Sequence, residues 1–254
     1  MKSDKVLVEI IDHMAIVTLN EPDSLNALTN ELKKQLMNEL DVIEKNDQIK
    51  CVVLTGKGRA FCAGGDVKAM QEDYEPQKIQ QSMDVSRRII NKIRTMPKIV
   101  VAAVHGYAAG AGMSLALAAD LIFAEARTKF ILSFKNVGLI PDLGLHYHLP
   151  RKVGYWKAKE WMWSGKTLTA DEAVDYGFVL EAVENNQVLE RAVEYTNKLA
   201  EGPINAYIHS KLLMNESHDM TLDQVMNNDN SLQTIIRGTD EHHHFLANFF
   251  NRRQ

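Results

Sequence analysis

The sequence predicts an α/β layer fold followed by a helical region without strands, and three patterns indicate it. Strand-like and helix-like segments alternate from residue 6 to about residue 185, as expected when helices cover a sheet. Two buried strands lead directly into glycine-rich turns, and beyond Gly202-Pro203 the apolar residues recur only at helical spacing. We therefore predict a core over residues 1–200 and a helical region over residues 201–254, which would pack on the core or on neighbouring subunits.

The amino-terminal part of the core predicts a hairpin, a helix and a strand. Residues 6–10 and 15–19 are β-rich runs joined at Asp12-His13, which predicts an opening hairpin. Thr29 can cap a helix, because apolar residues recur behind it at helical spacing: Leu32, Leu36, Leu40 and Ile43. Residues 51–55 then predict a short buried strand.

The rest of the core continues the alternation of helix and strand. A polar helix over residues 76–94 precedes a strand over residues 98–104, whose β-branched and alanine composition suits a strand covered on both faces. Thr169 and Glu172 have the spacing of a capping box, and Gly177 can end that helix. The remaining predicted elements are a helix through residue 119, strands over residues 121–124 and 179–183, and helices over residues 188–199, 204–213, 222–226 and 228–250.

The composition is that of a globular protein and argues against several classes of partner. Hydrophobic residues make up 45% and charged residues 24% of the 254 residues, so neither disorder nor a fibrous repeat is indicated. A formal net charge of -4 offers no general attraction to nucleic acid or to an anionic membrane. The longest apolar stretches are shorter than the roughly 20 residues that a membrane-spanning helix needs. We predict no nucleic-acid partner and no membrane partner.

The amino terminus, the cysteines and the histidines indicate a cytoplasmic protein without a metal site. Residues 1–5 show no export signal, and we expect Cys51 and Cys62 to be reduced, small apolar fillers. His146 and His148 could share a metal only if they lay on one face of a strand, and the histidine cluster at residues 242–244 has no matched acid or cysteine. We therefore predict no bound metal.

Two glycine-rich segments follow the buried strands and could hold a ligand oxygen. Residues 61–66 come after the strand at 51–55, and residues 110–112 come after the strand at 98–104. Glycine lets the backbone approach a ligand, and a helix that begins there leaves free N–H groups. Two such groups on one oxygen would form an oxyanion hole. Both segments could equally be tight turns, because neither has the glycine spacing of a phosphate-binding loop.

Three ordered motifs and the carboxyl-terminal tail carry a resemblance to a known family. The motifs are Leu25-Asn26-Ala27-Leu28, Arg59-Ala60-Phe61-Cys62-Ala63-Gly64-Gly65-Asp66-Val67-Lys68 and His105-Gly106-Tyr107-Ala108-Ala109-Gly110-Ala111-Gly112. In their order and separation they resemble the enoyl-CoA hydratase/isomerase, or crotonase, superfamily. Residues 247–253 also resemble the family's basic carboxyl-terminal helix, so the likeness covers nearly the whole chain.

The resemblance implies a fold, an assembly and a class of substrate. The fold would be a crotonase-like spiral of ββα units, followed by helices that build a homotrimer, commonly stacked into a hexamer. The substrates would be acyl-CoA thioesters, so coenzyme A is part of the substrate and no separate cofactor is expected. By position, the oxyanion donors would be the backbone N–H groups of Gly65 and Ala111.

The resemblance also implies a path for the coenzyme A moiety. Arg59 would lie near the phosphates, and Arg252 and Arg253 would either reach the coenzyme A of a neighbouring subunit or form a solvated tail. The other residues along the adenine and pantetheine path would be Asn26, Ala27, Leu28, Ala63, Gly64, Asp66, Val67 and Lys68.

The two catalytic glutamates of the family's hydratases are missing from this chain. Hydratases carry one on the helix after the glycine-rich turn, where this chain has Ser114, and another on the following segment, where it has Phe134. Asp142 remains, and an apolar setting formed by its sequence neighbours would raise its pKa toward a range useful for catalysis. This resembles the branch that contains the ring-opening enoyl-CoA isomerase of phenylacetate breakdown, where an aspartate at this place moves the proton. Phe134 and Leu139 would shape the acyl pocket.

A double-bond isomerase is the favoured prediction, because one carboxylate can take a proton from one carbon and return it two carbons away. The matching aspartate of 4-chlorobenzoyl-CoA dehalogenase is a nucleophile, but that enzyme's tryptophan and histidine fall at Phe134 and Ile89 here. Three alternatives remain open. They are Asp142 as a turn residue after proline, an enoyl-CoA hydratase or acyl-CoA hydrolase that uses a water held by Ser114, and a non-catalytic acyl-CoA-binding scaffold.

Overall fold

The computed structural model describes residues 4–71 and 74–251. Its strands are β1 (Val6–Ile11), β2 (Met14–Leu19), β3 (Cys51–Gly56), β4 (Ile99–Val104), β5 (Tyr107–Ala109), β6 (Leu121–Glu125), β7 (Lys129–Ile131), β8 (Thr167–Thr169) and β9 (Glu181–Val183). Within the described ranges they form a six-stranded sheet in the order β1-β2-β3-β4-β6-β9 and a three-stranded sheet in the order β5-β7-β8.

The helices alternate with these strands as far as β9 and then continue alone. They are α1 (Asn30–Lys45), α2 (Pro76–Thr95), α3 (Ala111–Leu117), α4 (Leu145–Val153), α5 (Tyr155–Ser164), α6 (Ala170–Asp175), α7 (Val188–Ala200), α8 (Ile204–Glu216), α9 (Leu222–Arg237) and α10 (Asp240–Asn251). The alternation followed by a helical tail confirms the predicted mixed α/β class.

The order of the strands places two loops side by side. β1 and β2 form the predicted antiparallel hairpin, with Val6 opposite Leu19 and Ile11 opposite Met14. From β2 onward the neighbours in the large sheet are parallel. Since adjacent parallel strands end at the same edge of a sheet, the loops after β3 and β4 leave that edge together. These loops carry the two glycine-rich segments.

The central strands β3 and β4 are buried along their whole length, as the sequence predicts. Alternate residues of β3 serve opposite faces. Val52 and Leu54 pack in the core that includes the buried faces of α1 and α2, whereas Cys51 and Val53 pack with residues of α7 and α8. Both cysteines of the chain are free and buried, and burial raises the pKa of each thiol to about 12.

The predicted helix starts are confirmed at the level of individual hydrogen bonds. The Thr29 hydroxyl accepts the Leu32 N–H at the start of α1. At α6 the Thr169 hydroxyl accepts the Glu172 N–H at 3.1 Å, and the Glu172 carboxylate accepts the Thr169 N–H at 2.8 Å. These bonds satisfy backbone donors that a helix leaves open in its first turn.

The small sheet and one boundary depart from the sequence prediction. β5, β7 and β8 are three residues each, which is too short for a period of two to show in the sequence, and they form because the chain brings them together. The last strand of the large sheet begins at Glu181 rather than at residue 179. Val179 instead lies in the turn after α6, where its N–H donates to the Ala173 carbonyl.

The helical region after residue 200 has a part that packs into the core and a part that does not. α8 buries Ile204 and Ile208 against the core, whereas α9 and α10 bury no side chain within the described part of the chain. The predicted helix break near residue 227 is wrong, since α9 runs unbroken to Arg237. The break falls at Gly238, after which the Thr239 hydroxyl accepts the His242 N–H at 3.2 Å. The boundary between residues 200 and 201 stays a prediction.

Among the helices of the described ranges, none has a stretch long and apolar enough to cross a bilayer.

Candidate active site

Hydrogen bonds bring all three sequence motifs to one place beside β5. The loop after β3 pairs with β5, since the Cys62 N–H donates to the Tyr107 carbonyl at 3.1 Å and the Ala109 N–H donates to the Cys62 carbonyl at 3.0 Å. The first motif closes on the same loop, because the Leu28 N–H donates to the Gly64 carbonyl at 2.7 Å. The motifs are therefore neighbours in space although they are far apart in sequence.

Two glycines allow this loop to sit directly against the start of α3. Gly64 has a φ of +102°, and a Cβ placed on it would lie 2.6 Å from the Ala109 carbonyl oxygen and 3.4 Å from the Ala111 nitrogen. A Cβ on Gly112 would lie 2.2 Å from the Cys62 carbonyl oxygen. Both overlaps are with backbone atoms, which cannot swing away. The residue after Gly64 and the first residue of α3 are thus held close together.

The two predicted oxyanion donors are free to bind a ligand oxygen. Ala111 is the first residue of α3, so its N–H has no partner within the helix. Within the described residues, neither the Gly65 nor the Ala111 N–H donates to a backbone carbonyl. Ala111 is 4% exposed, so a donor there acts in a largely water-free setting. This arrangement favours an oxyanion hole over the alternative of two tight turns.

Asp142 is attached to the same helix through Ser114. It lies between a short 3-10 turn (Ser133–Val137) and α4. The Ser114 hydroxyl donates to the Asp142 backbone carbonyl at 3.0 Å, and Ser114 follows Ala111 by one helical turn. The backbone of Asp142 is therefore tied to α3, the helix that begins at Ala111.

The Asp142 carboxyl has the properties of an acid–base group. Its Oδ1 is buried and has no hydrogen-bond partner within the described residues. Burial raises the pKa of Asp142 to about 6, and the opposing charge of Lys33 acts to lower it. A carboxyl that titrates near neutral pH can both accept and return a proton. These properties favour a catalytic role over that of a turn residue.

The chain as a whole matches one known family. The family model described as enoyl-CoA hydratase/isomerase matches residues 9–254. The chain belongs to the enoyl-CoA hydratase/isomerase family. A crystal structure of an enoyl-CoA hydratase from Polaromonas sp. JS666 superposes with a TM-score of 0.94 at 32% identity and covers 97% of each chain. This confirms the predicted crotonase-like fold.

Relatives of this family member carry two kinds of name. It is 31% identical to 1,2-epoxyphenylacetyl-CoA isomerase of Escherichia coli (strain K12), over 98% of this chain and 96% of the relative. It is 30% identical to 2,3-dehydroadipyl-CoA hydratase of the same organism, over 98% of this chain and 96% of the relative. An acyl-CoA enzyme of the hydratase/isomerase family is thus shown, and similarity alone does not choose between the two reactions.

The predicted coenzyme A path has a buried end and an exposed end. Asn26 is fully buried, and its side chain donates to the Lys57 and Ala60 carbonyls and accepts the Glu21 N–H. Its backbone N–H donates to the Glu21 carbonyl at 2.9 Å, so the Asn26 carbonyl is the group left for a substrate. Ala27, Leu28 and Gly64 are buried, Ala63, Gly65 and Asp66 are half-buried, and Arg59, Val67 and Lys68 are exposed. Arg252 and Arg253 lie outside the described residues.

A cavity lies between α2 and α4, next to Asp142 in the chain. The cavity has a volume of about 460 Å³, and Leu143 and Gly144, which follow Asp142, form part of its wall. Phe134 is 7% exposed, and its ring lies 3.8 Å from where a Cβ on Gly110 would stand. Phe134 thus lies at the start of α3, where the sequence predicts an acyl-pocket wall. Leu139 is half exposed and lies at the surface.

The histidine pair does not meet the condition for a shared metal. His146 and His148 both lie on α4, so they do not share one face of a strand. Burial, together with the charges of Arg94, Lys152 and Arg151, lowers the pKa of His148 to about 4. Across the described ranges, no three histidine, cysteine, aspartate or glutamate side chains form a group that could hold a metal ion.

Sequence reasoning missed a buried cation beside the site. Lys33 is 7% exposed on α1, and its ammonium donates to the Ser82 carbonyl at 3.4 Å and to the Ser82 hydroxyl on α2. The sequence does contain a signal, because Lys33 precedes Leu36, Met37 and Leu40 at helical spacing. A lysine in register with a buried stripe is unusual, since lysine is almost never fully buried unless it has a partner.

Proposed function

We propose that this family member is an enoyl-CoA isomerase that moves a double bond within an acyl-CoA thioester. The Gly65 and Ala111 N–H groups hold the thioester oxygen, and Asp142 takes a proton from C2 of the acyl chain and returns it to C4. The observation that carries the proposal is a buried carboxyl oxygen of Asp142 that has no hydrogen-bond partner among the described residues. The backbone carbonyl of the same residue accepts the Ser114 hydroxyl of α3.

The oxyanion hole makes this proton transfer feasible. The C2 proton of a thioester is a weak acid until the enolate oxygen meets preorganised donors, each worth about 3 kcal/mol. When a 3-enoyl thioester loses that proton, the electron pair is shared between the thioester oxygen, C2 and C4. Protonation at C4 yields the 2-enoyl thioester and returns the Asp142 carboxylate to its starting state. One carboxyl therefore completes the cycle without a second acid or a separate cofactor.

The environment of Ser114 supports isomerisation over hydration. Ser114 is fully buried, and its hydroxyl proton is engaged by the Asp142 carbonyl. A serine in that position organises the aspartate rather than a reacting water. Phe134, at the second hydratase position, adds apolar surface where water would be activated. The proposal therefore assigns Ser114 and Phe134 to the wall of the acyl site and Asp142 alone to proton transfer.

We further propose how coenzyme A binds to the enzyme and in which compartment the enzyme acts. The coenzyme A moiety follows the backbone of residues 26–28 and the loop of residues 63–68, with Arg59 near the phosphates and the acyl chain beside Phe134 and Leu139. The unpaired, buried cysteines are consistent with a cytoplasmic enzyme.

We also propose that the enzyme is a homotrimer or a hexamer of two trimers. α9 and α10 expose large apolar side chains and bury none among the described residues, and a helix without a buried apolar face gains little stability in water. The exposed side chains on these two helices include Leu222, Met226, Ile235, Leu246 and Phe250. Contact with neighbouring subunits would cover them.

The test is to supply 3-enoyl-CoA and 2-enoyl-CoA thioesters to the purified protein and to follow isomerisation and hydration separately. Asp142→Asn keeps the shape of the side chain but cannot accept the proton, so we expect isomerisation to fall by about 10² to 10⁴. Hydration that outruns isomerisation, or full isomerase activity in Asp142→Asn, would contradict the proposal.

Ser114→Ala separates the isomerase from the water-based alternative in the same assay. If Ser114 only holds the Asp142 backbone, its loss removes one hydrogen bond worth about 1 kcal/mol and lowers the rate far less than Asp142→Asn does. A hydratase or hydrolase that uses a Ser114-held water predicts the reverse order. A non-catalytic scaffold predicts that no variant changes the rate at which C2 protons exchange with deuterated water.

A further inference from the structure

Lys33 carries a buried ammonium and Asp142 a buried carboxyl oxygen, and neither side chain has an ion-pair partner among the described residues. Among the described residues, no carboxylate lies within ion-pairing distance of the Lys33 ammonium, which donates to the carbonyl and hydroxyl of Ser82. The Ser82 hydroxyl in turn donates to Asn30 Oδ1 at 2.6 Å. The ammonium is thus anchored by neutral groups, and a charge buried among neutral groups is costly unless an opposite charge compensates it.

The charges that act on Lys33 come from the site itself. Burial lowers the pKa of Lys33, and the carboxylates of Asp142 and Asp66, in that order, oppose this by favouring the charged form. Asp66 belongs to the loop that carries the Gly65 donor. Geometry also places Lys33 close to the site. The Ser82 carbonyl that accepts from its ammonium accepts the Ser86 hydroxyl at 3.2 Å as well, and Ser86 lines the cavity together with Leu143, the residue after Asp142.

The other charged groups around the site do not replace Lys33. On α2, Asp84 and Arg87 pair with each other at 3.5 Å, and the Arg94 guanidinium donates to the Tyr147 hydroxyl and the Asn215 carbonyl. On α4, His148 is neutral at pH 7 because its pKa is about 4. Among the described residues, further titratable side chains on these segments include Glu31 and Lys34 on α1, Asp66 and Lys68 on the loop after β3, Lys78, Arg88 and Lys92 on α2, and His146, Arg151 and Lys152 on α4. Of the charged side chains around the site, Lys33 is the one whose charge acts on the pKa of Asp142.

We propose that Lys33 is a positioning residue for the reaction, and that its buried ammonium is the counter-charge that keeps the Asp142 carboxylate ionised inside an apolar wall. The inference rests on the proposed function, because it concerns the residue assigned to proton transfer there. Burial favours the protonated form of Asp142 and so reduces the share of carboxylate that can act as a base. A fixed cation at a distance restores the charged form without forming a tight ion pair that would weaken the base.

Three variants separate the charge of Lys33 from its packing. Lys33→Met removes the ammonium and keeps an unbranched apolar chain, whereas Lys33→Arg keeps a cation. Lys34→Met removes the neighbouring ammonium, which is exposed on the same helix, and serves as the matched control. Thermal unfolding establishes that each variant is folded, and Lys33→Gln replaces the Met variant if that one is not.

The first measurement is independent of turnover. The carboxyl carbons of aspartate are labelled with 13C in the full-length protein and titrated by NMR, and Asp142→Asn identifies the Asp142 signal. We expect Lys33→Met to raise the titration midpoint of Asp142 by about one pH unit, the lower end of the effect of a nearby opposite charge. Lys33→Arg and Lys34→Met should leave the midpoint near its wild-type value.

The second measurement is the pH profile of kcat/KM for isomerisation. In Lys33→Met the acid limb of the profile should shift to higher pH by the same amount. The rate should therefore fall about fivefold at pH 6 and little above pH 8. An unchanged Asp142 midpoint in Lys33→Met, or an equal shift in Lys34→Met, overturns the proposal. If the wild-type protein does not isomerise enoyl-CoA thioesters, the proposed function fails by itself, and the carboxyl midpoints still decide the role of Lys33.

Discussion

The position of the Asp142 carboxyl lowers the stability of the folded protein. One of its oxygens is buried without a hydrogen-bond partner among the described residues, and burial raises its pKa to about 6. An ionised carboxylate in that setting is less well solvated than in the unfolded chain. An acid–base group nevertheless needs a pKa close to the working pH, and burial supplies it. At the scale of this residue, function and stability therefore oppose each other.

Asp142→Asn should accordingly stabilise the protein at neutral pH. Because the pKa of Asp142 is higher in the folded chain than in the unfolded chain, its stabilising contribution is present below about pH 4 and is lost as the pH rises through 6. We expect a gain on the order of 2 kcal/mol at pH 7.5 and a clearly smaller gain at pH 4.5. Urea unfolding at both pH values measures this, and a gain that is larger at pH 4.5 would contradict it.

At the scale of elements, the site depends on how closely α3 approaches the loop after β3. Gly112 lies in the first turn of α3, directly against the Cys62 carbonyl. The backbone contact sets the distance between the two N–H donors, and no side chain can adjust it. A small change in the position of α3 would therefore change the geometry of the hydrogen bonds to the thioester oxygen.

Gly112→Ala tests this contact. The new Cβ would lie 2.2 Å from the Cys62 oxygen, so α3 must move. We expect a loss of roughly 2 kcal/mol of stability and at least a hundredfold loss of isomerase activity from a misplaced donor. Gly238→Ala is the control, since its Cβ would have its nearest neighbour at 3.5 Å. Activity close to wild type in a folded Gly112→Ala protein would show that the contact does not position the donors.

A buried ion pair fastens α8 to the large sheet. Lys211 Nζ lies 2.9 Å from Asp120 Oδ2 and also donates to the carbonyls of Ile93 and Lys98. Asp120 in turn accepts the Val100 N–H at 2.7 Å. The pair thus joins the helical region to the strands at the centre of the core.

Lys211→Met should destabilise the protein by roughly 3 kcal/mol, because it leaves the Asp120 carboxylate buried without its counter-charge. The double variant Lys211→Met/Asp120→Asn should lose less than the single one, and chemical denaturation measures both. Lys198→Met is the control, since its pair with Glu194 is exposed and worth less than about 1 kcal/mol. Equal losses in Lys211→Met and Lys198→Met would show that α8 is not held by this pair.

At the scale of the whole molecule, α9 and α10 extend the chain beyond its own core. Neither helix buries a side chain within the described residues, while Ile235 and Phe250 are more than half exposed. Such apolar surface is characteristic of contacts between subunits. The helical region would then be stable because of its neighbours.

Ile235→Asp should dissociate the assembly. A carboxylate at a buried contact between subunits is poorly solvated, so we expect the variant to sediment as smaller species than the wild-type protein. Val42→Asp, at a similarly exposed site on α1, is the control and should leave the assembly intact. Analytical ultracentrifugation measures the mass of the assembly and so gives the number of chains in it. A wild-type monomer, or an Ile235→Asp protein that keeps the wild-type mass, would contradict the proposed assembly.

Local patterns were sufficient to predict most elements, because each is encoded by neighbouring residues. The hairpin, the caps at Thr29 and Thr169 and the doubly buried strand β4 follow from turn residues, hydrogen-bonding side chains and apolar periodicity. The strands β5, β7 and β8 could not be predicted in this way, because they are too short to show a period. The sequence prediction put a helix break near residue 227 instead of at Gly238, because the residues around position 227 are polar like those of a loop.

The sequence by itself determined the family, the alternation of strands and helices, and which residues of the candidate site are carboxylates and which are not. Tertiary structure alone decided how they act. The pKa of Asp142, the engagement of the Ser114 hydroxyl and the buried charge of Lys33 all arise between segments distant in the chain. Solvation and electrostatic fields depend on distance in space, which a linear pattern of residue types does not contain.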